Sequence, residues 1–164
     1  FVPGELPDAW KANTEQALEQ VTPCYERGGD VKAIRLHGDC HVGNILWTPD
    51  GPHFVDLDDS RMGPAAQDLW MLLSGDRAAM SKALKDVLSG YEQFMEFDRR
   101  ELNLIEALRT LRLINYSAWI ARRWDDPAFP AAFPWFNTTR YWQDRILELR
   151  EQIALMDEEP LTPS

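Results

Sequence analysis

Asp39, Asn44 and Asp56 are the residues whose types and spacing could do chemistry. An Asn follows Asp39 by five residues, and a second Asp follows Asn44 by twelve, in the strings His37-Gly38-Asp39-Cys40-His41-Val42-Gly43-Asn44 and Phe54-Val55-Asp56-Leu57-Asp58-Asp59. A phosphoryl-transfer site needs one carboxylate near the acceptor hydroxyl and oxygen ligands for Mg²⁺ near the phosphates. Asp39 suits the first task. Asn44, through its side-chain carbonyl, and Asp56, through a full charge, suit the second, because hard cations take oxygen donors. Three side chains read as support. His37 is expected to anchor the loop backbone through its ring nitrogens. Asp58 is expected to share a strand face with Asp56. Asp68, inside the apolar run Pro64 to Leu73, is expected to accept backbone N–H bonds from the loop, since a buried carboxylate without donors is costly. Arg112, Asn115 and Tyr116 interrupt an apolar helical stripe and are candidates for a substrate cleft.

Other readings of the same residues are weaker. His37, Cys40 and His41 suit zinc by type, but a structural zinc site draws four ligands from paired clusters, and the only other His is His53. No glycine-rich phosphate loop and no strand lysine of the V-A-I-K kind stands upstream of Asp39.

The elements that must position these residues can be read from pattern. Trp10, Ala17, Leu18 and Val21 fit one face of a helix that starts near Pro7 and ends before Pro23 or a little after it. Val31 to Leu36 reads as a strand entering the polar loop. Ile45–Trp47 and His53–Leu57 read as a hairpin around the turn cluster Thr48-Pro49-Asp50-Gly51-Pro52. The chain downstream reads as helical. One buried helix spans residues 64–73, and a second, capped by Asp76, runs to about Phe97. A third is capped by Asp98, with Glu101 completing a capping box, and carries the stripe Leu104, Ile105, Leu108, Leu111, Ile114 and Ala118. An aromatic-rich loop follows over 129–136, then a last helix from Thr138 or Thr139 to about Met156, then a frayed tail.

Composition sets the outer bounds. The chain has 164 residues, 45% hydrophobic and 27% charged, which is ordinary globular material. A net charge of −10 argues against a nucleic-acid partner. Two cysteines make no disulfide framework, no signal peptide or membrane-spanning run is visible, and a reducing cytoplasm is the simple expectation. The opening Phe1-Val2-Pro3-Gly4 reads as a linker, so the expectation is a fragment.

These motifs resemble the aminoglycoside-phosphotransferase and choline-kinase superfamily, whose fold is protein-kinase-like. Three longer strings, Arg35 to His41, Asp56 to Asp59 with Gly63-Pro64 and Gln67 to Leu72, and Arg122 to Pro130, resemble the bacterial stress-response kinases within it. The resemblance implies an α+β, mainly α fold: a kinase C-terminal lobe spanning 1–164, with the catalytic-loop hairpin packed on a helical bundle and the nucleotide-binding N-terminal lobe outside the chain. It also implies a cytoplasmic Ser/Thr protein kinase using ATP and Mg²⁺, with Asp39 as catalytic Asp, Asn44 and Asp56 as metal ligands, and a stress-response role. Gly38 stands where protein kinases carry an Arg, and only eleven residues separate Asp56 from Asp68, too few for a long phospho-switched loop. Small-molecule hydroxyl kinases share that short segment, so they are the alternative reading. A non-catalytic binding module is a further one.

Overall fold

A computed structural model describes residues 1–164 as two compact units, one built from 1–26 and 106–159, the other from 27–105 and 160–164. The chain is mainly helical with two small antiparallel strand pairs, the α+β class expected.

The first unit holds most of α1 (Leu6–Gly28), α4 (Ile105–Arg122), α5 (Ala128–Ala132) and α6 (Thr139–Asp157). Its core is aromatic. Ile120, Phe136 and Trp142 are buried, with Trp10, Trp124, Phe129 and Tyr141 packed around them. Thr138 caps α6 by accepting from the Tyr141 N–H. Helix α1 does not stop at Pro23 but runs through it. Pro there gives up one helical hydrogen bond and crowds the preceding turn, at about 3 kcal/mol. The next residue, Cys24, offsets this by packing with Ala107 and Met156. Leu18 faces outward, 43% exposed, so the buried face is set by Asn13, Ala17 and Cys24 instead.

The second unit begins with β1 (Ile34–Leu36), which pairs with β4 (Arg61–Gly63), a strand the apolar pattern did not announce. The hairpin is β2 (Ile45–Thr48) with β3 (Gly51–Phe54), in register from Ile45 opposite Phe54 to Thr48 opposite Gly51. The second strand therefore ends three residues before the expected Leu57. The backbone leaves the ladder because Asp56 adopts φ +63°. Short α2 (Ala66–Leu69) and a 3₁₀ turn, Trp70–Leu72, fill the expected helix at 64–73. Asp76 caps α3 (Arg77–Tyr91) by accepting from the Ala79 N–H. That helix stops short of Phe97: Phe94 is 91% exposed, so continuing it would bury nothing there, whereas Phe97 turns into the core.

Two further expectations fail in this unit. The tail is not frayed, since Leu161 is fully buried and the Pro160 carbonyl accepts from Arg77. Asp98 does cap the 3₁₀ turn Arg99–Leu104, but Glu101 does not turn back toward it as a capping box requires. Glu101 leaves its own helix and accepts the N–H of Ala66 at 2.8 Å. No helix is long and apolar enough to cross a membrane.

Candidate active site

The loop after β1 is held by α2. His37 and Gly38 donate their backbone N–H groups to the two oxygens of Asp68, at 2.7 and 2.9 Å. One carboxylate thus satisfies two consecutive amides that no strand partner reaches. Gly38 has φ +89°, and a Cβ there would lie 2.1 Å from the Asp59 carbonyl oxygen. Any side chain at 38, the Arg of protein kinases included, would have to displace residues 59–61.

The His37 ring ties the loop to the strand end. Its Nδ1 accepts from the Asp39 N–H at 3.3 Å, so Nε2 carries the proton and donates to the Val55 carbonyl at 2.9 Å. Residue 55 is also fixed from the other side, its N–H donating to the Asn44 carbonyl at 3.0 Å. Asn44 is buried, and its side-chain Nδ2 donates to the Asp39 carbonyl at 3.0 Å. These bonds join the backbones of 39, 44 and 55 into one frame and bring the segments of Asp39, Asn44 and Asp56 together.

Two features bear on metal binding. The Asn44 amide is oriented with nitrogen toward Asp39, and its Oδ1 makes no hydrogen bond. Asp56 is the sole non-glycine residue with positive φ and is exposed. Left-handed backbone costs most residues about 1–2 kcal/mol and Asp somewhat less. No cluster of three or more His, Cys, Asp or Glu is gathered as a metal site. One carboxylate and one amide oxygen fit Mg²⁺, which keeps waters and phosphate oxygens as its other ligands, and do not fit structural zinc.

The remaining expected residues stand as follows. Asp58 is exposed and does not share a strand face with Asp56, because residues 55–57 are not a strand. Arg112, Asn115 and Tyr116 are carried by α4 in the first unit, Arg112 half-buried and the other two exposed. Of the aromatic set, Phe136 and Trp142 are core, while Trp119 and Trp135 are about one-third exposed, at 37% and 39%.

Three residues of this unit matter more than the sequence suggested. His41 caps the 3₁₀ turn Val42–Asn44 by accepting from the Gly43 N–H, and its Nε2 lies 3.5 Å from Asp39 Oδ2. Its position two residues after Asp39 was the available signal. Cys40 is buried, and burial together with the charges of Asp68 and Asp39 pushes its thiol up, which makes it a poor nucleophile. Glu101 left no local signal, because its partner Ala66 is thirty-five residues away.

Comparison with known proteins gives the family of the chain. Residues 2–105 match the profile described as Phosphotransferase enzyme family. Stress response kinase A of Escherichia coli (strain K12) is 49% identical over 161 residues, covering 98% of this chain and 48% of that protein. Serine/threonine protein kinase RdoA of Salmonella typhimurium (strain LT2) has the same identity and coverage, 49% over 98% of this chain and 48% of its own length. Stress response kinase A of Shigella flexneri is 48% identical over the same share, 98% and 48%. The chain spans about half the length of the curated relatives it matches. The matched region carries Asp39, Asn44, Asp56 and Asp68 together, and the chain belongs to the phosphotransferase enzyme family.

Proposed function

We propose that residues 1–164 are the acceptor- and metal-binding half of an ATP-dependent kinase that phosphorylates Ser/Thr hydroxyls of proteins in the cytoplasm, as a stress-response enzyme. The observation that carries the reading is the bonded frame that joins the segments of Asp39, Asn44 and Val55, the residue before the left-handed Asp56, and leaves the Asn44 Oδ1 without a hydrogen bond. In this reading the chain is the C-terminal lobe of the kinase. The phosphate-covering loop and the phosphate-pairing lysine belong to the part of the relatives that lies outside this chain. The names of the relatives support the protein acceptor and the stress role.

Asp39 would orient the acceptor hydroxyl and take its proton. Its carboxylate is held by a backbone fixed on both sides, through His37 and Asn44. Asn44 Oδ1 and the Asp56 carboxylate would hold Mg²⁺, which when bound neutralises phosphate oxygens during transfer. Asp68 fixes the loop through the N–H groups of His37 and Gly38. Arg112, Asn115 and Tyr116 remain candidates for acceptor contact on the ground of their positions in the sequence. Two free cysteines and no disulfide suit a reducing compartment.

A small-molecule acceptor is the second reading. It is favoured by the eleven residues between Asp56 and Asp68, which form only a turn, β4 and the approach to α2. Incubating the full-length protein with labelled ATP, against peptides and against small alcohols, separates the two. Label in Ser or Thr of protein is expected; label only in small alcohols would replace the first reading by the second.

A further inference from the structure

We infer that Glu101 is a positioning residue for the catalytic loop, acting through α2 and Asp68. The inference rests on the phosphotransfer reading for its kinetic arm only.

Glu101 is 4% exposed, and its Oε2 accepts the Ala66 N–H at 2.8 Å. Ala65 and Ala66 are themselves buried, at 6% and 1%. Their N–H groups open a helix and have no helical partner, and no side chain at position 65 caps them. The carboxylate of Glu101 therefore does what an N-cap residue does elsewhere, from a different segment of the chain. Two residues beyond Ala66 stands Asp68, whose oxygens hold His37 and Gly38. The next residue, Asp39, bonds its N–H to the ring of His37.

The linkage is short and directional. α2 has only four residues, so it has little internal stiffness with which to keep Asp68 aimed once its first turn is released. Loss of the Glu101 acceptor would leave buried N–H groups unpaired, and such groups shift to find partners. A small displacement of Asp68 loosens His37 and Gly38, and with them the carboxylate of Asp39. Misplacement of about 1 Å can cost on the order of 100-fold in rate.

The test uses the full-length protein with Glu101→Ala and Glu101→Gln, the second of which keeps an oxygen acceptor in place. Two readouts are taken: kcat and KM for ATP, and hydrogen exchange of the segment 37–39 against that of the α3 core around Leu84 and Leu88. Glu101→Ala is expected to lower kcat by about 10- to 100-fold with KM within about twofold. Exchange at 37–39 should quicken by about tenfold or more while α3 is unchanged. Glu101→Gln is expected to restore both to within about threefold of wild type. Should Glu101→Ala fail to fold, Glu101→Asp, whose carboxylate is withdrawn by one methylene, carries the same expectation. Uniform quickening that includes α3, or equal loss in the Ala and Gln variants, would reduce Glu101 to a general core group and overturn the inference. Unchanged exchange at 37–39 would overturn it as well. The exchange readout needs no activity, so it stands even if the phosphotransfer reading fails.

Discussion

The side chain of Asn44 donates to the carbonyl of Asp39 at 3.0 Å. The bond fixes which way the Asn44 amide faces, and so leaves its oxygen as the group available to a cation. It also makes Asn44 a support for Asp39. Residues five apart in sequence, one proposed for the metal and one for the acceptor, are thus a single mechanical piece.

The two metal-side residues differ in what they bring. In the proposed metal site Asp56 would supply a full charge and Asn44 only a dipole. Mg²⁺-dependent nucleotide binding by the full-length protein should therefore weaken more in Asp56→Ala than in Asn44→Ala. Titration of Mg²⁺ in both variants checks this, and the opposite order would reverse the assigned roles.

Strain at Asp56 gives a stability effect opposite in sign to its functional one. Asp56→Gly removes a side chain from a left-handed backbone with φ +63°. We expect a gain of roughly 1 kcal/mol, a few degrees in melting temperature, with loss of Mg²⁺-dependent activity. Thermal melts beside activity assays test it. A destabilised Gly variant would show that the Asp56 side chain holds the loop.

Gly38→Ala should be severe. Its Cβ would sit 2.1 Å from the Asp59 carbonyl oxygen at a backbone of φ +89°. Melting of the variant is expected to show more than about 2 kcal/mol of destabilisation, the range typical of strain at a special backbone position. A change within about 0.5 kcal/mol would mean that residues 59–61 yield freely.

Much of this was legible in the sequence, and the exceptions share a cause. Asp39, Asn44 and Asp56 were singled out as candidates by type and spacing, and Asp76, Asp98 and Thr138 showed themselves by short-range capping chemistry. The Asp98…Glu101 spacing is the same kind of short-range signal, yet Glu101 goes to Ala66, because burying an unpaired helix start costs more than leaving a capping box half made. Strand β4 was missed because its pairing with β1 is a long-range contact of three residues. Helix α1 continues past Pro23 because local propensity yields to the packing of Cys24. Position 56 is the most instructive case. Alternation along a strand put Asp58 beside it, and one left-handed residue undoes that alternation.

Glu101 also makes a pH prediction. Burial raises its carboxyl above the usual 4.5, against the pull of the bonds to Ala66 and Ala65. The folded state then binds the proton more tightly than the unfolded one. Its stabilising contribution is full below 4.5 and is lost as pH rises through the higher folded value. The melting temperature of wild type minus that of Glu101→Gln should therefore rise between about pH 7.5 and about pH 5. A flat or falling difference would mean that the burial cost is fully met by the backbone N–H groups at the start of α2.

The most direct measurement is the rate of γ-phosphate transfer from ATP by the full-length protein, wild type against Asp39→Asn, at matched folded fraction. Asn keeps the shape of Asp39 and removes its capacity to take a proton. A fall of about 10²- to 10⁴-fold is expected, with an unchanged melting curve. A variant within a few-fold of wild type would contradict it, because Asp39 would then not be the group that handles the acceptor hydroxyl.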